Sequence, residues 1–104
     1  VSARWWEEER WRRDLYEYVV ILRAFLDDHL SGDEFELLYL ALFKADSTDR
    51  PEPIYVVLET LFEEVDDYHP DERVRQEVGG IDQIELKNRA RSALDQLQKL
   101  GMCD

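Results

Sequence analysis

Positive charge is scarce in this chain: 13 Lys and Arg stand against 25 Asp and Glu, a net charge of −12. That balance excludes direct binding to nucleic acid, whose phosphates would be repelled. Cysteine is nearly absent, and Cys103 has no partner for an internal disulfide, so a reducing cytoplasm is the expected home. Three Pro and four Gly leave little room for disorder. No apolar run approaches the roughly 18 residues a membrane span needs, and the longest, YVVILRAFL, is broken by Arg23. The start also lacks the basic, apolar and small-residue succession of a secretory leader. Nowhere does the chain alternate apolar and polar residues as a half-buried strand would.

What is present is helical spacing. A length of 104 residues sets a single domain, 1–104, with one core. Trp11, Leu15, Tyr18, Val19, Leu22, Phe25, Leu26 and Leu30 recur every three or four positions, which predicts a helix from about residue 5 to Leu30. Ser31 followed by Glu34 is a capping box that opens a second helix, its inner face Phe35, Leu38, Tyr39, Leu42 and Phe43. The prolines of DSTDRPEP make a turn, after which Ile54, Val57, Leu58, Leu61, Phe62 and Val65 form a third stripe. YHPDERVRQEVGG reads as a longer connection holding one helical turn around Val74. Asp82 with Glu85 repeats the capping pattern, and Leu86, Ala90, Ala93, Leu94 and Leu97 form the last stripe before Gly101. The expected fold is all-α, a four-helix antiparallel bundle.

The acidity is local. Residues 27–72 hold 15 acids against Lys44 and Arg50, a balance of −13, while the rest of the chain sums to +1. A solubilising bias would spread along the whole chain, as it does in halophilic proteins. In LFEEVDDYHPDE the acids crowd the C-terminal end of the third helix, where the helix dipole is already negative. Each costs a few tenths to about 1 kcal/mol there. A basic partner would offset that cost.

The succession FLDDHLSGDEFELLYLALFK, LETLFEEVDDYHPDE and ELKNRARSALDQLQKL resembles the colicin D immunity protein family over about residues 22–100. The residues that carry the likeness are Phe25, Leu26, Ser31, Gly32, Glu34 and Phe35 at one joint, and Leu61, Phe62, Asp66, Tyr68, Pro70 and Asp71 at another. The resemblance implies a four-helix bundle whose acidic face enters the basic cleft of a tRNA-cleaving toxin domain and stands in for phosphates. It aligns Asp66 and Asp71 with family acids that meet the toxin's active-site bases. Where the family carries another acid, between Tyr68 and Pro70, this chain has His69. The expected partner is a cognate toxin nuclease domain bound by one monomer, with no enzyme activity, no direct nucleic acid and no membrane. The expected toxin-binding residues are Glu59, Glu63, Asp66 and Asp67 on the solvent face of the third helix, with Asp71 and Glu72 as a loop continuation.

Other chemistry finds less support. Di-metal carboxylate bundles need Glu-x-x-His on two helices plus two further Glu, and His69 has no such second copy, so no metal or cofactor is expected. No nucleophile, base and orienting acid can be assembled into a catalytic set. His29 and His69 suit helix C-termini. Arg73, Arg75, Arg89 and Arg91 read as a solvated face or as internal partners for the acids, and Trp11 as core; Trp5 and Trp6 are left open. Two other functions fit the composition: an acidic mimic of duplex DNA, which would spread its carboxylates over a longer surface, and a helical adaptor whose acidity serves solubility.

Overall fold

The computed structural model describes residues 5–100, with side chains from Leu15 onward. Within these residues the fold is all-helical: α1 (Trp5–Leu26), α2 (Gly32–Ala45), α3 (Glu52–Asp66), α4 (Glu72–Val78) and α5 (Gln83–Lys99). The expected count of four is one short. The connection after α3 holds a complete seven-residue helix, started by the Asp71 side chain, which accepts the Arg73 N–H at 2.8 Å. No residue of α4 is buried, so it adds nothing to the apolar stripes on which the four-helix reading rested. The other four helices close a ring in which α1 and α3 each pack against α2 and α5.

α1 ends at Leu26, four residues before the expected Leu30. Asp28 adopts φ 64, the His29 N–H reaches back to Ala24 O at 2.8 Å, and the Asp28 N–H reaches Phe25 O at 3.2 Å. This pair of bonds is a Schellman closure, with Asp in the left-handed position usually held by Gly. Leu30 still packs against the core from outside the helix, which is why its spacing misled. The Ser31 capping box is present: Ser31 Oγ accepts the Glu34 N–H at 3.1 Å, and Glu34 Oε1 accepts the Ser31 N–H at 2.9 Å.

Phe35 and Tyr39 of α2 are buried, and Leu42 and Phe43 pack partly against the core. Leu38, expected inside, is 43% exposed. It lies at the edge of the stripe centred on Phe35 and Tyr39, because each residue turns the helix by about 100°. Ile54, Val57, Leu58, Leu61 and Val65 of α3 are buried, as are Leu86, Ala90, Ala93, Leu94 and Leu97 of α5. Phe25 stacks on Phe35 with ring centroids 4.4 Å apart, and the buried Tyr39 hydroxyl donates to Leu58 O at 2.8 Å. At the α2–α3 turn the Tyr18 hydroxyl and Arg50 both donate to Asp46 Oδ2, at 2.7 and 3.0 Å. Gly101 and Cys103 lie outside the described residues, as do the side chains of Trp5, Trp6 and Trp11. No described helix is long and apolar enough to cross a membrane.

Candidate functional site

Glu59, Glu63 and Asp66 stand at i, i+4 and i+7 of α3, so they share one face. That face is opposite the buried Ile54, Leu58, Leu61 and Val65. Asp67 follows as the C-cap, and Glu63, Asp66 and Asp67 are exposed while Glu59 is half-buried. Their four carboxylates form no ion pair and no hydrogen bond with described residues. Glu63, Glu64, Asp66 and Asp67 line a shallow depression at this end of the helix. The last turn of α3 holds no basic residue, so nothing within the helix offsets the negative end of its dipole.

Neighbouring acids are engaged. Glu64 turns towards α5 and pairs with Arg89, which also holds Glu85 Oε1 at 2.7 Å. The hydrogen bonds that Arg89 donates to Glu85 and then to Glu64 push its guanidinium above its ordinary value. Asp28 pairs with Lys87, and that contact lowers the carboxyl below its ordinary value. Lys87 and Arg89 therefore neutralise the α5 flank of the acidic region and leave the α3 face unpaired. Asp71 and Glu72, expected as loop, belong to α4 as its cap and first residue. Both remain exposed, although one Asp71 oxygen is engaged by the Arg73 N–H.

Three participants escaped sequence reading: Asp33, Glu36 and the structural role of Tyr68. Tyr68 is buried, and its hydroxyl donates to Asp33 Oδ1 at 2.9 Å. Burial and then that hydrogen bond push its phenol up to about 12. Gly32 makes room, because a Cβ there would fall 2.6 Å from the Tyr68 hydroxyl oxygen. The Glu36 carboxyl is raised by burial and then by the charge of Asp33, with Asp66 adding to the effect and His69 opposing it. The start of α2 and the end of α3 thus form one electrostatic neighbourhood. The acids of α2 were visible in the sequence; which end of α3 they meet was not.

The segment after α3 is braced from two sides. Ile81 N–H donates to Asp67 O and His69 N–H to Ile81 O, each at 3.0 Å, so Tyr68 and Ile81 form an isolated parallel bridge. Arg75 Nη1 donates to the carbonyls of His69 and Pro70 at 2.7 and 2.9 Å. Arg89 is thus an internal partner for acids, Arg75 holds carbonyls instead, and Arg73 and Arg91 are exposed. Among the described residues no group of three or more His, Cys, Asp or Glu is placed to hold a metal ion. Fixed, unpaired carboxylates can accept hydrogen bonds and pair with cations.

A family profile, that of bacterial self-protective colicin-like immunity, matches residues 14–97. The match begins eight residues before the resemblance expected from the sequence and ends three before it, and it covers α2, α3 and α4 in full. No curated protein and no solved structure matches the chain.

Proposed function

The chain belongs to the bacterial self-protective colicin-like immunity family, and from that premise we propose that its acidic end binds and inhibits a cognate nuclease toxin. The family points to inhibition of a bacteriocin toxin and not to catalysis. The finer reading is that the α3 face enters the basic cleft of a tRNA-cleaving domain and takes the place of its phosphates. One observation carries it: Glu59, Glu63, Asp66 and Asp67 form no ion pair with described residues, and the last three stand at the C-terminal end of α3, where negative charge is unfavourable.

A ribonuclease cleft holds Lys, Arg and His to bind its substrate, and desolvating them is costly unless they meet negative charge. At about 1.5 Å per residue, Glu59, Glu63 and Asp66 are spaced about 6 and 4.5 Å along the axis. Together they span about 10.5 Å of axis, a short run beside the longer acidic surface that a duplex DNA mimic would present. Asp71 and Glu72 extend the same surface from α4, and Glu36 extends it from α2.

The test is calorimetric titration, with an RNA-cleavage assay, against the cognate toxin domain, to be sought among the genes next to this one. Asp66→Asn should weaken binding by about 2 to 5 kcal/mol, because it leaves a toxin cation buried without its partner. The same change should raise the stability of the free protein by about 0.3 to 1 kcal/mol. Asp95 is exposed on α5, outside the acidic region, and Asp95→Asn should alter neither quantity by more than about 0.5 kcal/mol. Intact affinity in Asp66→Asn would sink the phosphate-mimic reading.

A further inference from the structure

α4 buries none of its residues, yet it presents two valines to solvent, Val74 at 38% and Val78 at 66% exposure. Valine loses side-chain freedom in a helix and ranks below the Gln, Glu and Arg around it. Neither the core nor local propensity accounts for the pair. Their position is informative. With about 100° of turn per residue, Asp71, Val74 and Val78 fall along one stripe, so the apolar strip continues directly from a carboxylate of the acidic surface. Arg75 fastens the helix to the carbonyls of His69 and Pro70, and Asp71 caps it. A partner covering Asp66, Asp67 and Asp71 therefore lies against α4.

We propose that the Val74–Val78 strip docks on an apolar rim beside the basic cleft of the toxin domain. The inference rests on the reading of the acidic end as the toxin-binding face. In such an interface the charges steer approach and set register, while apolar contact excludes water and slows dissociation. The two roles are adjacent here. α4 is the element that joins them, which explains a short helix that contributes nothing to the core.

The test is the Val74→Gln/Val78→Gln double variant, with stopped-flow association and surface-captured dissociation against the same cognate toxin domain. Glutamine forms helix well and neither site is buried, so thermal melts should match the parent. Dissociation should quicken by at least about tenfold, with association changed by less than about twofold. The loss should be equal at about 50 and about 500 mM NaCl, since apolar contact is not screened. Val20→Gln, at a 59% exposed site on α1, should leave both rates unchanged. Unchanged dissociation in the double variant, beside weakened binding in Asp66→Asn, would overturn this inference and leave the acidic reading standing. If Asp66→Asn also binds normally, or the parent does not bind, the acidic reading fails and this inference fails with it. A loss in Val20→Gln equal to that of the α4 pair would also overturn the assignment to α4.

Discussion

Gly80→Ala tests how the acidic end is held in place. Gly80 has φ 104, and an added Cβ would fall 2.5 Å from Asp67 O and 2.6 Å from His69 Cδ2. The His69 ring can rotate away, but the Asp67 carbonyl is backbone and cannot simply swing aside. The Asp67 carbonyl accepts the Ile81 N–H and the His69 N–H donates to Ile81 O, both at 3.0 Å. A left-handed backbone under an L side chain costs about 1 to 3 kcal/mol. Shifting the chain enough to clear the Cβ loosens both bonds, each worth about 0.5 to 1.5 kcal/mol. The expected total is about 2 to 6 kcal/mol. Gly79 is the matched control: its φ is 81, but nothing lies within 4 Å of an added Cβ. Gly79→Ala should therefore cost the strain alone, about 1 to 3 kcal/mol. Urea unfolding followed by far-ultraviolet circular dichroism measures both. Equal losses in the two variants would refute the claim that the Asp67–Ile81 link is a steric and hydrogen-bonded clamp.

Leu58 is 1% exposed at the centre of α3, so Leu58→Ala should cost about 2 to 5 kcal/mol in denaturant titration; a loss below about 1 kcal/mol would mean that this face is not core. Association with the toxin domain should slow markedly between about 50 and about 500 mM NaCl, as the Debye length falls from about 14 to about 4 Å, and stopped-flow rates indifferent to salt would count against a charge-led interface. Tyr68 contributes to alkaline stability beside the buried Tyr18 and Tyr39, whose phenols burial also raises; its own phenol is pushed up to about 12 in the fold and ionises near about 10 when unfolded. The unfolded chain sheds that proton first, so stability should fall from about pH 10 to about pH 12. Tyr68→Phe should flatten the fall, and equal urea-midpoint changes between about pH 9 and about pH 11 in parent and variant would contradict this.

Most of the helical frame was legible because burial follows three-then-four spacing. The stripes of α3 and α5 appear as read, and both Ser31 and Asp82 cap the helices they were expected to start. What misled was spacing without geometry. Leu30 keeps the apolar rhythm but lies beyond a left-handed Asp28, a position for which Asp gives a far weaker signal than Gly. α4 was legible only as a single turn because its valines face solvent and form no stripe with the core. The acids of α3 could be named from their place at a helix end. Their division into paired Glu64 and unpaired Glu63 and Asp66 could not, because it depends on where Arg89 of α5 comes to lie. Tyr68 was visible as a motif residue, but its bond to Asp33 crosses 35 positions, which no local pattern encodes.

Tyr68 joins stretches far apart in the chain: it packs against Gly32, donates to Asp33 and pairs its backbone with Ile81. Residues 67–69 therefore have no way to fray by themselves, since freeing them uncovers a core residue and breaks the start of α2 from the end of α3. The amides of His69 and Ile81 should exchange with solvent through openings nearly as costly as global unfolding. A protease then meets this segment about as rarely as it meets the unfolded chain. For a protein whose task is to be present whenever its toxin is, the working lifetime of the surface becomes that of the whole domain.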